Sequence, residues 1–497
     1  MSNDTAGTFP HPAYAQNVLE PAFEESKEHL FAHMIAANEA HAIMLAECGV
    51  LDPAQASALL TALGAVKQQG AEAFRYSPEI EDLFFAVEGR LIELVGPDAG
   101  GNLQIARSRN DLAAAMSRMM LRERLVGARQ QVLHLRSVLL DMIEQHIETL
   151  MPGITHTQPA QPTTLAHYLL GVLGPLERDS DRLSCAWRRT NRSSLGVAAF
   201  TTTSFSIGRE LTADLLGFDG YVENGYDAVG ANDHLLESVQ ALVNCVGSLS
   251  RFVYDLLVWA RKDVDIIRID DAFIQMSSIM PQKRNPVVLE HVRVRIGWVY
   301  GEASAVETII HSAAFGDTND VEDPMFVPLN RAFDAAEMVL RLLAAVLSTA
   351  AFNVSGMEQR AAEGNTTTTA LADALVQEHG IPFRGAHTIV SRIVSRTMSD
   401  DVPITAELVN EVSSEVLGRS LDVTQEFVAN ALDPWAFVNA RTIPGGSAPE
   451  TTRQALESAR LHLDEDRGVL EADNAAVNHA SAERQRRIDA LMAGASS

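Results

Sequence analysis

The amino-acid sequence predicts an all-α protein built around a bundle of long helices, and three observations support this prediction. Residues 110–150 contain no proline and only one glycine, with apolar residues at helical spacing. Residues 164–190, 232–262, 286–312 and 328–353 repeat that pattern. Strand-like alternation is scarce, although residues 198–205 could form a hairpin. Five long amphipathic stretches in one chain are typical of a helix bundle.

The longest of these stretches, residues 110–150, sets the dimensions of the predicted bundle. A helix of about 40 residues is about 60 Å long at 1.5 Å per residue. Such a helix needs packing partners along its whole length, and the other four apolar stretches can supply them.

Glycine and proline divide the chain into three predicted domains. Breaks at Gly49, Pro53 and Gly70 interrupt residues 1–109, which we expect to form an N-terminal helical domain. Residues 110–364 carry the long helices of a central bundle domain. Residues 365–497 are predicted to form a C-terminal helical domain of short helices and turns, such as those at 380–382 and 444–446.

Composition and charge exclude several classes of function. The chain has 497 residues, 46% of them hydrophobic, and a net charge of −26, so it can bury a large core and is not expected to bind nucleic acid or anionic membranes. No apolar run approaches the roughly 20 residues of a membrane helix, and residues 1–16 lack the basic and apolar segments of a secretory signal, so we expect a cytoplasmic protein. Cys48, Cys185 and Cys245 are too few and too scattered for disulfides or a metal site.

A first polar run, ARSRND at 106–111, lies where the longest predicted helix begins. Asn110 or Asp111 is expected to cap that helix. Arg107 and Arg109 lie beside the same terminus, whose N–H groups and dipole favour negative charge. In a chain this acidic, the basic residues around an anionic substrate must be concentrated locally, so this run is a candidate anion site.

A second polar run, GITHTQPAQP at 153–162, follows the other end of that helix. A single histidine in a loop is usually a surface residue or one satisfied by a hydrogen bond. Here His156 lies among Thr155, Thr157 and Gln161, with prolines nearby. Short hydrogen-bonding side chains held rigid between prolines indicate a candidate binding site.

The third run, MSSIMPQKRNP at 276–286, is followed by Glu290 and is the most informative part of the sequence. Pro281 and Pro286 prevent an ordinary helix, so the segment is expected to be a loop that presents polar groups. A proline-broken connector between two helices is the alternative. As a binding loop it would hold an anion with Lys283, Asn285 and backbone N–H groups.

The three runs together resemble the fumarase and aspartase superfamily, and within it the argininosuccinate lyases. The third run resembles the superfamily signature Gly-Ser-Ser-x-Met-Pro-x-Lys-x-Asn-Pro, and the first two resemble argininosuccinate lyase motifs in the same order. The resemblance implies an all-α, three-domain subunit, a homotetramer with a twenty-helix core, and active sites shared among three subunits. The predicted helix length agrees with this, because one chain can hardly bring polar runs about 60 Å apart to one substrate.

The resemblance also implies a carbon–nitrogen lyase that cleaves an N-succinyl substrate by β-elimination to fumarate and an amine. Ser277 matches the base, Lys283 stabilises charge on the substrate carboxylate, and His156, oriented by Glu290, helps to protonate the leaving nitrogen. The remaining matches would hold the dicarboxylate substrate: Arg107, Ser108, Arg109, Asn110, Thr155, Gln161, Ser278, Met280 and Asn285. No metal or organic cofactor is implied.

Departures from the argininosuccinate lyase pattern bear on the amine half of the substrate. Residues 316–323, GDTNDVED, stand where the family has Tyr-Asn-x-Asp-Leu-Gln-Glu-Asp, so the tyrosine and glutamine are missing. Met276 also replaces the first glycine of the signature. We therefore expect an N-substituted aspartate other than argininosuccinate, for example an aminopolycarboxylate of the ethylenediamine-disuccinate type. The alternatives are an argininosuccinate lyase, an inactive crystallin-like structural relative and a helical scaffold.

Overall fold

Helices form most of the structure, a computed structural model that describes residues 9–321, 323–400 and 402–494. The all-α prediction is confirmed. Before the first polar run, short and medium helices pack against one another. They are α1 (Pro12–Tyr14), α2 (Glu20–His29), α3 (Phe31–Glu47), α4 (Pro53–Gln69), α5 (Leu83–Val95) and α6 (Pro97–Asn102), with a π-helical turn at Ala15–Leu19 between α1 and α2.

The five predicted long helices are all present and form a bundle. Two short helices, α9 (Arg209–Leu215) and α10 (Gly225–Gly230), interrupt the series of long helices along the chain. The long helices are α7 (Arg109–Gln145), α8 (Leu165–Thr190), α11 (Asp233–Trp259), α12 (Val287–Ser312) and α13 (Asp323–Thr349). Helix α7 packs against α8 and α13, while α11 packs against α8 and α12, so their apolar faces share one core. Helix α13 begins five residues before its predicted start and contains Pro328 in its interior.

Helix α11 is the one helix in the described ranges that is long and apolar enough to cross a membrane. Its apolar residues Leu235, Val239, Leu242 and Leu249 are buried in the bundle. The length and hydropathy of α11 therefore match those of a core helix.

The C-terminal part contains short helices and one very long helix. The short ones are α14 (Val354–Ala362), α15 (Thr368–His379), α16 (Phe383–Asp400), α17 (Ala406–Leu417), α18 (Gln425–Leu432) and α19 (Pro434–Asn439). The last helix, α20 (Pro449–Gly494), has 46 residues, so the prediction of only short helices here was wrong. It packs on α7, α4 and α8, and Arg129 of α7 pairs with Asp473 at 2.6 Å. The three-domain division stays a prediction.

Short two-stranded ladders shape two of the polar runs. Strands β1 (Leu150–Thr155) and β2 (Gln158–Thr164) form an antiparallel hairpin around the second run. The pairs β3 (Ile267–Arg268) with β6 (Ala351–Phe352) and β4 (Gln275–Met276) with β5 (Arg284–Asn285) are only two residues long. The hairpin expected at 198–205 was wrong, because that segment consists of turns and bends.

Candidate active site

The first polar run forms the N-terminus of α7. Ser108 is the N-cap, so the prediction of Asn110 or Asp111 at that position was wrong by two or three residues. The Ser108 hydroxyl accepts the N–H of Asn110 at 3.3 Å, and the Asp111 carboxylate accepts the N–H of Ser108 at 3.0 Å. This reciprocal capping box fixes the direction in which α7 begins.

Asp111 joins that helix terminus to a neighbouring loop. Its side chain is fully buried and accepts the N–H groups of Gly196 at 2.9 Å and Ala198 at 3.0 Å. Burial raises the pKa of Asp111 to about 6, against the opposing effect of those hydrogen bonds and of Arg107. Asp111 therefore positions the first polar run, and its buried carboxylate is not exposed to substrate.

The two arginines of the run have different surroundings. Arg107 is buried, and its guanidinium donates to Asn38 at 2.6 Å and to Gln104 at 2.9 Å. These hydrogen bonds give Arg107 a structural role, and its contact with substrate stays a prediction. Arg109 is exposed and pairs with Asp82 at 2.8 Å, with its guanidinium over the Phe85 ring.

The second polar run turns sharply at the tip of the β1–β2 hairpin. His156 and Thr157 have φ values of 52° and 64°, in the left-handed region that a β-branched residue rarely adopts. The side chains of Thr155 and His156 are exposed. Gln161 donates to the Thr369 hydroxyl at 3.1 Å, which ties the hairpin to the start of α15. Gly153 is required opposite Gln161, because a Cβ there would lie 2.8 Å from the Gln161 carbonyl oxygen.

The third polar run is an exposed loop between β4 and β5. The Ser277 hydroxyl oxygen accepts the N–H groups of Met280 at 3.0 Å and Ile279 at 3.3 Å. Asn285 donates to the Gln275 carbonyl at 3.1 Å and so closes the base of the loop. Lys283 is exposed beside them. The Ser277 hydroxyl oxygen in this loop therefore already accepts two backbone N–H groups.

The remaining predicted members of this run, Ser278 and Met280, lie in the same exposed loop, and Glu290 is exposed on the first turns of α12. Within the described ranges no hydrogen bond or ion pair links His156 with Glu290. A single chain therefore does not form the predicted pair.

Distance separates the first run from the second. Helix α7 has 37 residues and is about 55 Å long, with Ser108 before its first residue and the β1–β2 hairpin shortly after its last. No hydrogen bond or ion pair in the described part of the chain joins residues of any two runs. Within the described residues, the three runs therefore make no direct polar contact with one another.

Several positioning residues were missed from the sequence. Glu81 and Asp82 hold Arg109, Asp111 holds the loop at 194–198, and Thr369 holds Gln161. Asp111 carried a usable signal, since an acidic residue three positions after a serine is typical of a capping box. The other contacts join distant parts of the chain. Among the described residues, no group of three or more His, Cys, Asp or Glu side chains is arranged to hold a metal ion.

Comparison with known proteins agrees with the helical architecture. A family model described as Lyase matches residues 16–301, and one described as Argininosuccinate lyase C-terminal matches residues 365–439. Argininosuccinate lyase 1 of Shouchella clausii (strain KSM-K16) is 33% identical over 479 residues, covering 94% of this chain and 96% of the relative.

Two solved structures have the same fold over nearly their whole length. EDDS lyase in complex with formate superposes with a TM-score of 0.87 at 28% identity, covering 96% of each chain. A double variant of EDDS lyase with bound fumarate has the same TM-score and identity and covers 100% of each chain. The chain therefore belongs to the argininosuccinate lyase family of the fumarase and aspartase superfamily, and it is a carbon–nitrogen lyase that releases fumarate.

Proposed function

We propose that the enzyme cleaves an N-substituted aspartate other than argininosuccinate, with an aminopolycarboxylate of the ethylenediamine-disuccinate type as the candidate substrate. The observation that carries the proposed chemistry is the pair of backbone N–H groups on the Ser277 oxygen, from Ile279 and Met280. A serine hydroxyl is a very weak base unless its anion is stabilised. Two N–H donors supply such stabilisation before the substrate arrives.

The reaction begins when the Ser277 alkoxide takes a proton from the carbon next to the departing C–N bond. The electron pair of that C–H bond delocalises into the neighbouring carboxylate, which becomes an aci-carboxylate. Lys283 and Asn285 stabilise this charge. The Asn285 amide has two N–H bonds and uses one for the Gln275 carbonyl, so the other is available for the substrate.

In the second step the carbon–carbon double bond forms as the C–N bond breaks, and fumarate and the amine separate. His156 donates the proton that the leaving nitrogen takes up, either directly or through water. Glu290 orients the imidazole. Ser277 returns its proton to solvent, and the cycle closes without a cofactor.

The complete site forms between subunits of a homotetramer. Ser108, Arg109 and Asn110 come from one subunit, the β1–β2 hairpin from a second and the Ser277 loop from a third. The separation of about 55 Å along α7 supports this arrangement. Exposed aromatic residues on the long helices, namely Tyr254, Trp298 and Tyr300, supply apolar surface for association.

The succinyl carboxylates are held by groups with free hydrogen-bonding capacity. Arg109 offers a guanidinium that is 44% exposed, although Glu81 and Asp82 neutralise part of its charge. Asn110, Thr155, Gln161, Ser278 and Met280 complete the contacts. Arg107 holds the run in place through Asn38 and Gln104.

Two findings favour an amine half other than arginine. Two structures of an EDDS lyase superpose on this chain with a TM-score of 0.87 and cover 96–100% of it. Residues 316–323 also lack the tyrosine and glutamine of the argininosuccinate lyase pattern. Argininosuccinate cleavage is the second candidate, favoured by the 33% identity to a named argininosuccinate lyase.

A structural role without catalysis is disfavoured by the residues retained in the three runs. Ser277, His156, Lys283 and Glu290 are all present, whereas an inactive crystallin-like relative is under no requirement to keep them.

A substrate panel tests the proposal. Purified enzyme is incubated with argininosuccinate, ethylenediamine-disuccinate and simpler N-substituted aspartates, and fumarate is followed by its ultraviolet absorbance. The aminopolycarboxylate is expected to react with a higher kcat/KM than argininosuccinate. Efficient cleavage of argininosuccinate alone would assign the second candidate, and no fumarate from any compound would contradict the proposed function.

A further inference from the structure

A buried histidine on α3, His41, contacts the segment that leads into the first polar run. Its side chain is 2% exposed, and its Nε2 atom lies 2.9 Å from the carbonyl oxygen of Ile105. A carbonyl oxygen only accepts hydrogen bonds, so Nε2 carries the proton and is the donor. Burial and the nearby Arg107 guanidinium lower the pKa of His41 to about 3. The imidazole is therefore neutral near pH 7, in the form that donates to Ile105.

The hydrogen bond to Ile105 constrains the residue that follows it. The Ile105 carbonyl and the nitrogen of Ala106 belong to one planar peptide unit, so a donor on that carbonyl fixes the plane from which φ of Ala106 is measured. Ala106 has a φ of 63°, in the left-handed region that is unfavourable for alanine. Such a conformation persists only when the surrounding structure enforces it. His41 is one of the groups that enforce it.

A second side chain of α3 holds the same segment. Asn38 lies one turn before His41 on the same face of the helix, is 2% exposed, and accepts a hydrogen bond from the Arg107 guanidinium at 2.6 Å. Most side chains of α3 are buried, and the helix packs against α4 and α7. Residues 105–107 are therefore fixed at two points to a closely packed helix.

The succinyl-binding residues follow this fixed segment directly. Ser108 is the N-cap of α7, and residues 108–110 are the next three positions after residues 105–107. On their other side, the buried Asp111 accepts two N–H groups of the loop at 194–198. Residues 108–110 thus lie between two buried anchors, which are the α3 contacts and Asp111.

We propose that His41 is a positioning residue of the succinyl-binding site. It acts through the Ile105 carbonyl and the left-handed Ala106, which together set the direction in which residues 108–110 meet the dicarboxylate. The inference rests on the proposed function, because that proposal assigns residues 108–110 to the succinyl carboxylates. A displacement of about 1 Å at a binding residue can lower activity about a hundredfold, so a residue buried behind the site can control binding.

Two variants of His41 test this inference by the affinity for succinate. Succinate is titrated calorimetrically into the purified enzyme, so turnover is not required. His41→Met keeps a side chain of similar size without the donor, whereas His41→Gln can place an amide N–H where the imidazole Nε2 lies. We expect His41→Met to weaken succinate binding about tenfold and His41→Gln to weaken it about twofold at most. Unchanged affinity in His41→Met, or no recovery in His41→Gln, overturns the inference.

Glu39 supplies the matched control for a purely structural effect. It lies on the same helix, is 4% exposed, and pairs with Lys67 of α4 at 3.2 Å and with Arg484 of α20 at 3.0 Å. Glu39→Gln removes the charge from both pairs and should destabilise the subunit, as urea unfolding measures. Its affinity for succinate is expected to stay within about twofold of wild type. Equal weakening of succinate binding in Glu39→Gln and His41→Met would make His41 a structural residue only and overturns the inference.

Should His41→Met fail to fold, His41→Asn takes its place. The asparagine amide is one CH₂ group closer to the backbone than the glutamine amide and does not reach the Ile105 carbonyl from the same position. His41→Asn must therefore bind succinate several-fold more weakly than His41→Gln does. Equal affinities of these two variants overturn the inference.

Asn110→Ala separates failure of this inference from failure of the proposed function. Weaker succinate binding in Asn110→Ala, with unchanged binding in His41→Met, overturns the positioning role alone. Unchanged binding in Asn110→Ala contradicts the assignment of residues 108–110 and the positioning role with it. Weaker binding in both variants, without fumarate release from any aminopolycarboxylate, supports the inference and contradicts only the proposed substrate.

Discussion

Replacing Asp111 with asparagine should change how the stability of the enzyme depends on pH. Burial raises the pKa of Asp111 from 3.8 to about 6 in the folded chain. The folded state therefore holds the proton more tightly than the unfolded state does. The stability that this protonation contributes is fully present below pH 4 and is lost as the pH rises through about 6.

The size of the effect follows from the shift in pKa. A change from 3.8 to about 6 corresponds to about 3 kcal/mol at 1.36 kcal/mol per unit. Asparagine cannot ionise, so Asp111→Asn lacks this contribution to the pH dependence. Losing an acceptor for the N–H groups of Gly196 and Ala198 costs the variant a further amount that does not depend on pH.

Urea unfolding at a series of pH values and one fixed protein concentration measures the unfolding free energy of wild type and of Asp111→Asn as a function of pH. The difference in unfolding free energy, wild type minus Asp111→Asn, should fall by about 2.4 kcal/mol between pH 4 and pH 7, most of the full effect of about 3 kcal/mol. Asp141→Asn, at an exposed position of the same helix, is the control and should run parallel to wild type. Parallel curves for Asp111→Asn and wild type would refute the reasoning.

Four further substitutions probe the base, the packing of α20, the first polar run and the hairpin tip. Ser277→Ala should lower kcat by about 10²–10⁴-fold in the fumarate assay with unchanged tetramer size, and near-normal turnover would place the base elsewhere. Arg136→Met removes the buried partner of Asp466, so we expect a loss of about 2–3 kcal/mol in urea unfolding, partly recovered by adding Asp466→Asn; no recovery would contradict pairing as the cause. Arg107→Met should cost about 2 kcal/mol of stability through its buried hydrogen bonds, whereas a raised KM with unchanged stability would restore the role in substrate binding. Thr157→Gly relieves a residue at φ 64° and should raise the melting temperature; a decrease would show that the hydroxyl contact outweighs the strain.

Helical periodicity was sufficient to predict the bundle. All five apolar stretches became helices because each carries a continuous apolar face, and such faces are stable only when buried against one another. Helix α20 was missed because its pattern is weaker. Its buried apolar residues, such as Leu456, Leu463 and Leu470, form a narrow stripe among many charges, and ion pairs such as Arg129 with Asp473 help to hold it.

Local chemistry likewise identified the three polar runs. The prolines and short polar side chains around Ser277 and His156 indicated exposed loops, and both segments are exposed in the structure. Sequence could not tell Arg107 from Arg109, since both are arginines beside one helix terminus. Their roles differ because Asn38, almost 70 positions away, receives the Arg107 guanidinium in the interior.

By itself, the sequence determined the fold class, the long helices and the residues that form the three polar runs, because periodicity and loop composition depend on neighbours close in the chain. Tertiary structure decided the contacts of those runs: Asp111 is buried beneath Gly196, and Arg107 is turned inward onto Asn38. Such contacts join segments far apart in the chain, so burial and hydrogen-bond geometry set them after the helices have packed.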